Sequence, residues 1–264
     1  MEEIKCIFCN SDRSRVVIQE NGYKGRKCSK CGLIYVSPRP SPLEIKSIYS
    51  HDAAKISVED HINKSLSKRI CARHHLQIIR SFVKTGELLE IGSGAGYFLD
   101  EAQKKGFKVL GIELNPDLME FIRKEFGIHC LTSPLAPARL GFNRFDLVYH
   151  RNVISHLYDP INEFKKIYQV MKAGAFLVFE TGNLGEVSPL YFKYIRSFQL
   201  PDHLFFFNLG NLKELLRKTG FEFISAYRYS LLPSLRMIQI IAYVKDLCRL
   251  VNTTFIGKKD PIHN

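Results

Sequence analysis

Four cysteines and one glycine-rich turn flanked by carboxylates are the residues whose types and spacing could do chemistry. Cys6-x-x-Cys9 and Cys28-x-x-Cys31 are separated by 18 residues. A C-x-x-C pair on a tight turn presents two thiolates to one ion, and two such turns complete a tetrahedral shell. A closed four-thiolate shell suits Zn2+ and leaves no position for a substrate, so the metal expected there is structural. A redox pair would need a thioredoxin-like βαβ setting, which does not surround these cysteines. Cys71, Cys130 and Cys248 stand alone and read as small buried hydrophobes.

The second feature is the run from Glu87 to Leu99. Leu88, Leu89 and Ile91 read as a buried strand, Gly92, Gly94 and Gly96 follow at once, and 97–105 reads as a helix. Glycines let a turn adopt positive φ and let a ligand lie against bare backbone, and the next helix offers free N–H groups. Glu90, at the strand end, can pair with a cation. A second strand over 107–112 ends in Glu113, 17 residues after Gly96. An acid in that place can accept hydrogen bonds from both ribose hydroxyls.

These residues need elements to hold them. Val16 to Ile18, the turn Asn21-Gly22 and 23–27 read as a hairpin between the cysteine pairs, with another strand at 32–36. Ser37-Pro38-Arg39-Pro40-Ser41-Pro42 reads as an extended linker. A short helix follows over 42–49, with Ser41 and Glu44 as a capping box. The stretch 59–83 reads as a helix with Ile62, Leu66, Ile70, Ile78, Ile79 and Phe82 as its apolar stripe. His74 and His75 lie within it and read as packed or solvated rather than ligating.

Further strands are expected at 145–149, 175–180 and 221–229, with helices at 160–170 and 211–219 and a turn at 171–174. Alternating strand and helix with Val/Ile/Leu-rich strands implies an α/β fold, a Rossmann-like, doubly wound, mostly parallel sheet with its ligand crevice beyond the strand C-termini. The division expected is a zinc ribbon over 1–36, linker and helices over 37–83, the α/β domain over 84–230, and a tail over 231–264. Residues 233–251 read as a basic amphipathic helix, and Thr253 to Ile256 is the candidate for a closing strand.

The spacing Gly92-x-Gly94-x-Gly96 behind Glu90 differs from the dinucleotide fingerprint and resembles motif I of class I methyltransferases. His150 to Pro160 and the strand over 175–180 resemble motifs II and III. Over roughly residues 4–230 the chain resembles bacterial class I methyltransferases with an N-terminal zinc ribbon. That resemblance implies S-adenosylmethionine as cofactor, held by Glu90, Gly92, Gly94 and Gly96. Glu113 would hold the ribose, Leu114 would pack on the adenine, Ser133 and Leu135 would reach the adenine edge, and His150 and Arg151 would flank the methionine end.

Methyl transfer to oxygen or carbon is helped by a base, and histidine is the common one near neutral pH. His203 is the first candidate and His156 the second, each with a structural alternative. The segment around His203 resembles the Tyr-His-Glu-His stretch of sugar C-methyltransferases. Leu200, Pro201, Asp202 and His203 stand in those four places, and only the last matches. The aromatic stretch over 184–207 reads as a substrate lid or as plain packing.

The formal net charge is +12, concentrated at the two ends of the chain. That balance raises the prospect of nucleic acid as a partner, but no dense Lys/Arg run occurs, so ordinary surface charge is the favoured reading. The resemblance implies a small-molecule acceptor, with O-methylation ahead of C- or N-methylation. An RNA methyltransferase gripping phosphates with its ribbon and basic ends is the alternative. A ribbon module with a vestigial cofactor site is the third reading, which the intact glycine turn and Glu113 argue against. No apolar run reaches the ~20 residues of a membrane span, and no basic-then-apolar leader opens the chain, so a cytoplasmic protein is expected. Core or homodimer packing is expected for the helix at 233–251.

Overall fold

The computed structural model describes residues 1–49, 58–59, 62–228 and 252–260. The ribbon forms where local chemistry places it. Asn21 (φ 52°) and Gly22 (φ 80°) make the left-handed pair of a two-residue hairpin turn. The turn joins β1 (Ser14–Glu20) antiparallel to β2 (Tyr23–Cys28), and β3 (Ile34–Val36) pairs with β2. The capping box is present on α1 (Pro42–Tyr49): the Ser41 N–H donates to Glu44 Oε2 at 2.8 Å, and the Glu44 N–H donates to Ser41 Oγ at 3.4 Å.

After α2 (Ser65–Ile79) comes the main α/β run: β4 (Gly86–Ile91), α3 (Tyr97–Gln103), β5 (Phe107–Ile112), α4 (Pro116–Phe126), β6 (Cys130–Leu131), the short α5 (Pro137–Leu140), β7 (Phe145–Arg151), α6 (Pro160–Val170) and β8 (Met171–Gly182). Then follow β9 (Phe205–Phe206), α7 (Leu209–Lys218), β10 (Phe221–Arg228) and β11 (Asn252–Lys259). Punctuation is local. Asn115 caps α4 by accepting from the N–H groups of Asp117 and Leu118, Pro116 opens it, and Gly127 (φ 66°) ends it.

Seven strands form one sheet in the order β10-β11-β8-β7-β4-β5-β6. The pairs β7/β8, β4/β7, β4/β5 and β5/β6 are parallel, whereas β11 runs antiparallel to both of its neighbours. The order in which strands are added reverses at β4: β5 lies on one side and β7 on the other. The crevice at such a switch point is where a doubly wound sheet takes its ligand.

Both faces are covered, so successive residues bury to opposite sides. Leu88, Leu147, Val178 and Ile256 meet α2 and α3 through Leu76, Ile79, Phe98 and Ala102. Leu89, Val148, Phe179 and Phe255 share a core with α6, α7 and the ribbon residues Phe8, Leu33, Ile34 and Tyr35.

The ribbon sheet is completed from the far end of the chain. β9 pairs antiparallel with β3, Phe206 opposite Ile34 and Phe205 opposite Tyr35, giving the order β1-β2-β3-β9. The linker is likewise fixed, with Ser37 and Arg39 buried and a backbone bridge between Glu2 and Arg39.

Three expectations are corrected. Leu66 and Ile70 do not lie on the buried stripe of α2; they are 72% and 49% exposed, and the helix buries Cys71, Ala72, His75, Leu76 and Ile79 instead. The expected turn at 171–174 is the start of β8, in which only Gly174 (φ 75°) bends the strand. The tail holds a full strand, β11, around the candidate Thr253 to Ile256. The helix expected over 233–251 and Cys248 lie outside the described residues.

His75 decides which face of α2 turns inward. Its Nε2 lies 2.7 Å from Glu180 Oε2, both side chains are fully buried, and its Nδ1 lies 2.6 Å from the Tyr149 hydroxyl. Glu180 also accepts from Arg151 Nε at 2.8 Å. Burial opposes the charge on His75, but its Cys71 and Glu180 partners outweigh it and raise its pKa to about 9. Burial opposes ionisation of Glu180 in the same way, and His75 and Arg151 bring it down to about 2.

The pair's stabilisation is therefore complete between the ordinary Glu and His values. It fades as pH rises through the raised value of His75 or falls through the lowered value of Glu180. Breaking a buried pair on one side costs about 3–5 kcal/mol. Glu180→Gln is expected to lower the melting temperature by roughly 10 °C near pH 6, and by less above pH 9. A calorimetric scan at both pH values measures this.

Candidate active site

The glycine turn closes over the end of β4. The Gly92 and Ser93 N–H groups donate to the Ile112 carbonyl at 2.8 and 3.1 Å, and the Gly96 N–H donates to the Ser93 carbonyl at 2.9 Å. Gly92, Gly94 and Gly96 have φ of 72°, 54° and 75°, in the left-handed region that glycine adopts without strain. Space is as restrictive as conformation. A Cβ on Gly92 would lie 2.7 Å from Val153 Cγ2, and one on Gly96 2.7 Å from Ile122 Cγ1.

Two carboxylates face this turn. Glu113 accepts from the Gly94 N–H at 2.7 Å and from the Asn115 N–H at 2.9 Å, so it clasps the turn from the end of β5. Burial raises its pKa despite those backbone donors. Glu90 is buried, and its Oε2 lacks a partner among the described residues. Burial first, and the Glu113 charge second, push its carboxyl well above the ordinary range. An orphaned buried acid beside bare backbone fits a ligand that brings a cation.

The remaining expected cofactor residues follow β5 and β6 or end β7. Leu114 is 63% exposed just past β5, Ser133 is half-buried, and Leu135 is buried. Arg151 is anchored by Glu180 at the end of β7, with a partly exposed side chain. His150 points to the α6 side of the sheet, stacked on Phe179 at 5.0 Å and edge-on to Phe164 at 5.7 Å. Burial drives its pKa down to about 3, and neither ring nitrogen has a partner among the described residues. It lines a cavity of about 20 Å³ with Ile91, Leu135, Val153 and Leu157, room for one water.

A cleft of about 330 Å³ opens beyond β7 and β8, lined by Asn152, Ser155, His156, Thr181, Gly182, Gln199, His203, Phe205 and Phe206. Asn152 of the cleft is followed in the chain by Val153, whose side chain closes on Gly92, so cleft and glycine turn are joined through adjacent residues. Asn152 (φ 54°) and Gln199 (φ 60°) are non-glycine residues in the left-handed region, a conformation that collects at functional sites.

The cleft brings together the two candidate bases, whose rings lie 4.6 Å apart edge to face. His156 Nδ1 is 3.1 Å from Asp202 Oδ1, and His203 Nδ1 is 3.1 Å from the Phe198 carbonyl. Burial, then the neighbouring His156, lower the pKa of His203, which keeps it neutral and able to accept a proton.

In the ribbon, Sγ separations are 3.4 Å for Cys6–Cys31, 3.5 Å for Cys9–Cys28 and 3.9 Å for Cys9–Cys31. These are far from the ~2.05 Å of a disulfide and close to the ~3.8 Å edge of a tetrahedron with 2.3 Å metal–sulfur bonds. Asn208 and Asn211 both donate their side-chain N–H to the Cys31 carbonyl, at 3.2 and 3.1 Å. The residue that sequence reasoning missed is Glu20. It accepts from the N–H groups of Phe198 and Leu200, and nothing local in β1 signals a partner so far along the chain.

A seven-stranded sheet with one antiparallel strand inside its edge, and a glycine turn at its switch point, defines the class I methyltransferase architecture. Residues 63–226 match the family model described as a methyltransferase domain, and the chain belongs to that family. A protein of Mycolicibacterium smegmatis named "Probable S-adenosylmethionine-dependent methyltransferase" is 26% identical over 137 residues, 52% of each chain. An uncharacterized protein of Methanocaldococcus jannaschii is 28% identical over 163 residues, 56% of this chain and 52% of its own. The chain thus spans about half the length of the curated relatives it matches.

The fold is shared with the Burkholderia thailandensis 1,6-didemethyltoxoflavin-N1-methyltransferase, whose structure holds 1,6-didemethyltoxoflavin and S-adenosylhomocysteine. That match has a TM-score of 0.62 and 13% identity, covering 94% of this chain and 99% of that one. The fold is also that of an S-adenosylmethionine-dependent methyltransferase of Mesorhizobium loti, with a TM-score of 0.55 and 18% identity over 70% of this chain and 96% of that one. Among the described residues no helix is long and apolar enough to cross a membrane.

Proposed function

We propose that this protein transfers a methyl group from S-adenosylmethionine to an oxygen of a small molecule held in the cleft between His156 and His203. The observation that carries this reading is the pair of histidines in a cleft whose Asn152 adjoins Val153, the residue that closes on Gly92. The cofactor supplies a methyl carbon on a positively charged sulfur, so the protein must mainly position and desolvate the acceptor.

Glu90 would pair with the cofactor's ammonium group, Glu113 would accept from the ribose hydroxyls, and Leu114 and Leu135 would enclose the adenine, with Ser133 at its edge. Arg151 would hold the carboxylate of the methionine end, with His150 packed beneath. When bound, the cofactor would supply an electrophilic methyl group to the acceptor oxygen, with sulfur keeping the electron pair of the broken bond. The hydroxyl proton passes to His203 Nε2 and from there to solvent. The four ribbon cysteines would hold a structural Zn2+ that fixes the wall carrying β9.

The test is turnover with labelled methyl donor. The reading requires label in small hydroxylated acceptors and none in transfer RNA. Label in RNA, with binding that weakens steeply as salt rises, would replace it.

The orphaned Glu90 yields a second expected outcome. Burial and the Glu113 charge favour the protonated form of its carboxyl, and an ammonium group beside it favours the ionised form. Cofactor binding should therefore release up to one proton near neutral pH and tighten as pH rises. Calorimetry in buffers of different ionisation heat counts that proton, and Glu90→Gln should abolish its release.

A further inference from the structure

Glu20 sits on a ribbon strand, yet both of its carboxylate oxygens are spent on the loop that carries His203. Oε1 accepts from the Phe198 N–H at 3.0 Å and Oε2 from the Leu200 N–H at 2.7 Å. The neighbouring Asn21 donates its side-chain amide to the Leu200 carbonyl at 2.7 Å. Gln199, between the two gripped amides, is held at φ 60°, a conformation that costs about 1–3 kcal/mol unless its surroundings impose it. Glu20 grips the amides on both sides of Gln199, so the carboxylate spans the residue in this conformation.

The same loop fixes the histidine. The Phe198 carbonyl faces His203 Nδ1 at 3.1 Å, and the His203 N–H donates to the Gln199 carbonyl at 3.0 Å. A carbonyl can only accept, so Nδ1 carries the proton and Nε2 carries the lone pair. Leu204, next in the chain, donates its N–H to the Ser155 carbonyl at 2.8 Å, which ties the loop to the turn bearing His156.

We propose that Glu20 is a positioning residue for His203: by clamping residues 198–200 it holds the imidazole in the tautomer whose Nε2 accepts the proton, and its charge supports the imidazolium that forms. This rests on the reading of His203 as the base. The charged groups facing His203 are His156, which opposes its protonation, and Asp202 and Glu20, which favour it. Burial raises the pKa of Glu20, but its backbone partners at Leu200, Phe198 and Gln199 and the Ser197 side chain outweigh that and leave it below the ordinary carboxylate range. Its lowered pKa keeps it ionised at neutral pH. The ribbon thus supplies an oriented charge to the reaction as well as a wall.

The test uses the full-length, zinc-loaded protein with Glu20→Gln and Glu20→Asp, and His203→Gln to identify the His203 signal. Nitrogen NMR of the histidine rings reads the tautomer and titration of His203 without any activity. The acid limb of the kcat profile reads the same group in turnover. Glu20→Gln should mix the two tautomers, move both titrations to lower pH and lower kcat about tenfold, whereas Glu20→Asp should restore the wild-type tautomer and part of the rate. An unchanged tautomer and titration in Glu20→Gln would overturn the proposal. Full activity in His203→Gln would instead overturn the reading of His203 as base and leave the NMR result on Glu20 standing.

Discussion

His203→Ala is expected to lower kcat by about 10²–10⁴-fold, the usual yield of a positioned general base, with the affinity for S-adenosylhomocysteine changed by less than about threefold. The ring lies in the cleft wall beside His156, and Nδ1 is committed to the Phe198 carbonyl. Only Nε2 can take the acceptor's proton. Its lowered pKa keeps it neutral at pH 7, so the basic form is already the resting form. The loss should be greatest for acceptors with a weakly acidic hydroxyl and smallest for those already ionised. Single-turnover rates across such a series measure it, and a uniform loss would mean that His203 shapes the cleft without moving a proton.

Removing the ribbon metal, or replacing Cys31 by Ser, is expected to cost about 10²-fold in kcat/KM for the acceptor while cofactor affinity changes little. Displacing a positioned group by about an ångström costs that much. The Cys31 carbonyl takes both Asn208 and Asn211 side chains, β3 pairs with β9, and Phe205 and Phe206 of β9 line the acceptor cleft. Glu20 and Asn21 grip the loop before them. If the four cysteines hold Zn2+ as proposed, binding it would stabilise so short a segment, and its loss should release this wall. The glycine turn is held by β4, β5 and α3 through bonds among their own residues. Acceptor and product titrations before and after chelation separate the two effects. Equal loss on both sides would mean that the ribbon supports the whole fold and not the cleft in particular.

Local signals placed most of the framework. Strand, glycine turn and helix at 88–103, the acid ending β5, the Asn21-Gly22 hairpin and the Ser41/Glu44 capping box each follow from residues within a few positions of one another. The cysteine spacing likewise leads directly to four sulfurs within 4.8 Å. What stayed illegible depends on distant partners. An apolar run such as 205–207 reads equally as lid or packing, and only the open edge of β3 makes part of it a strand. The buried face of α2 was misread because a polar residue, His75, turns inward to meet Glu180, while Leu66 and Ile70 face out. Glu20 finds its amides 178 and 180 residues away, where no periodicity reaches.

Calorimetric titration of the zinc-loaded protein with S-adenosylhomocysteine asks whether the glycine turn between Glu90 and Glu113 holds an adenosyl group at all. One site per chain is predicted, with proton release in wild type and none in Glu90→Gln. No heat with this ligand or with S-adenosylmethionine, alongside saturable binding of NAD, would contradict the account.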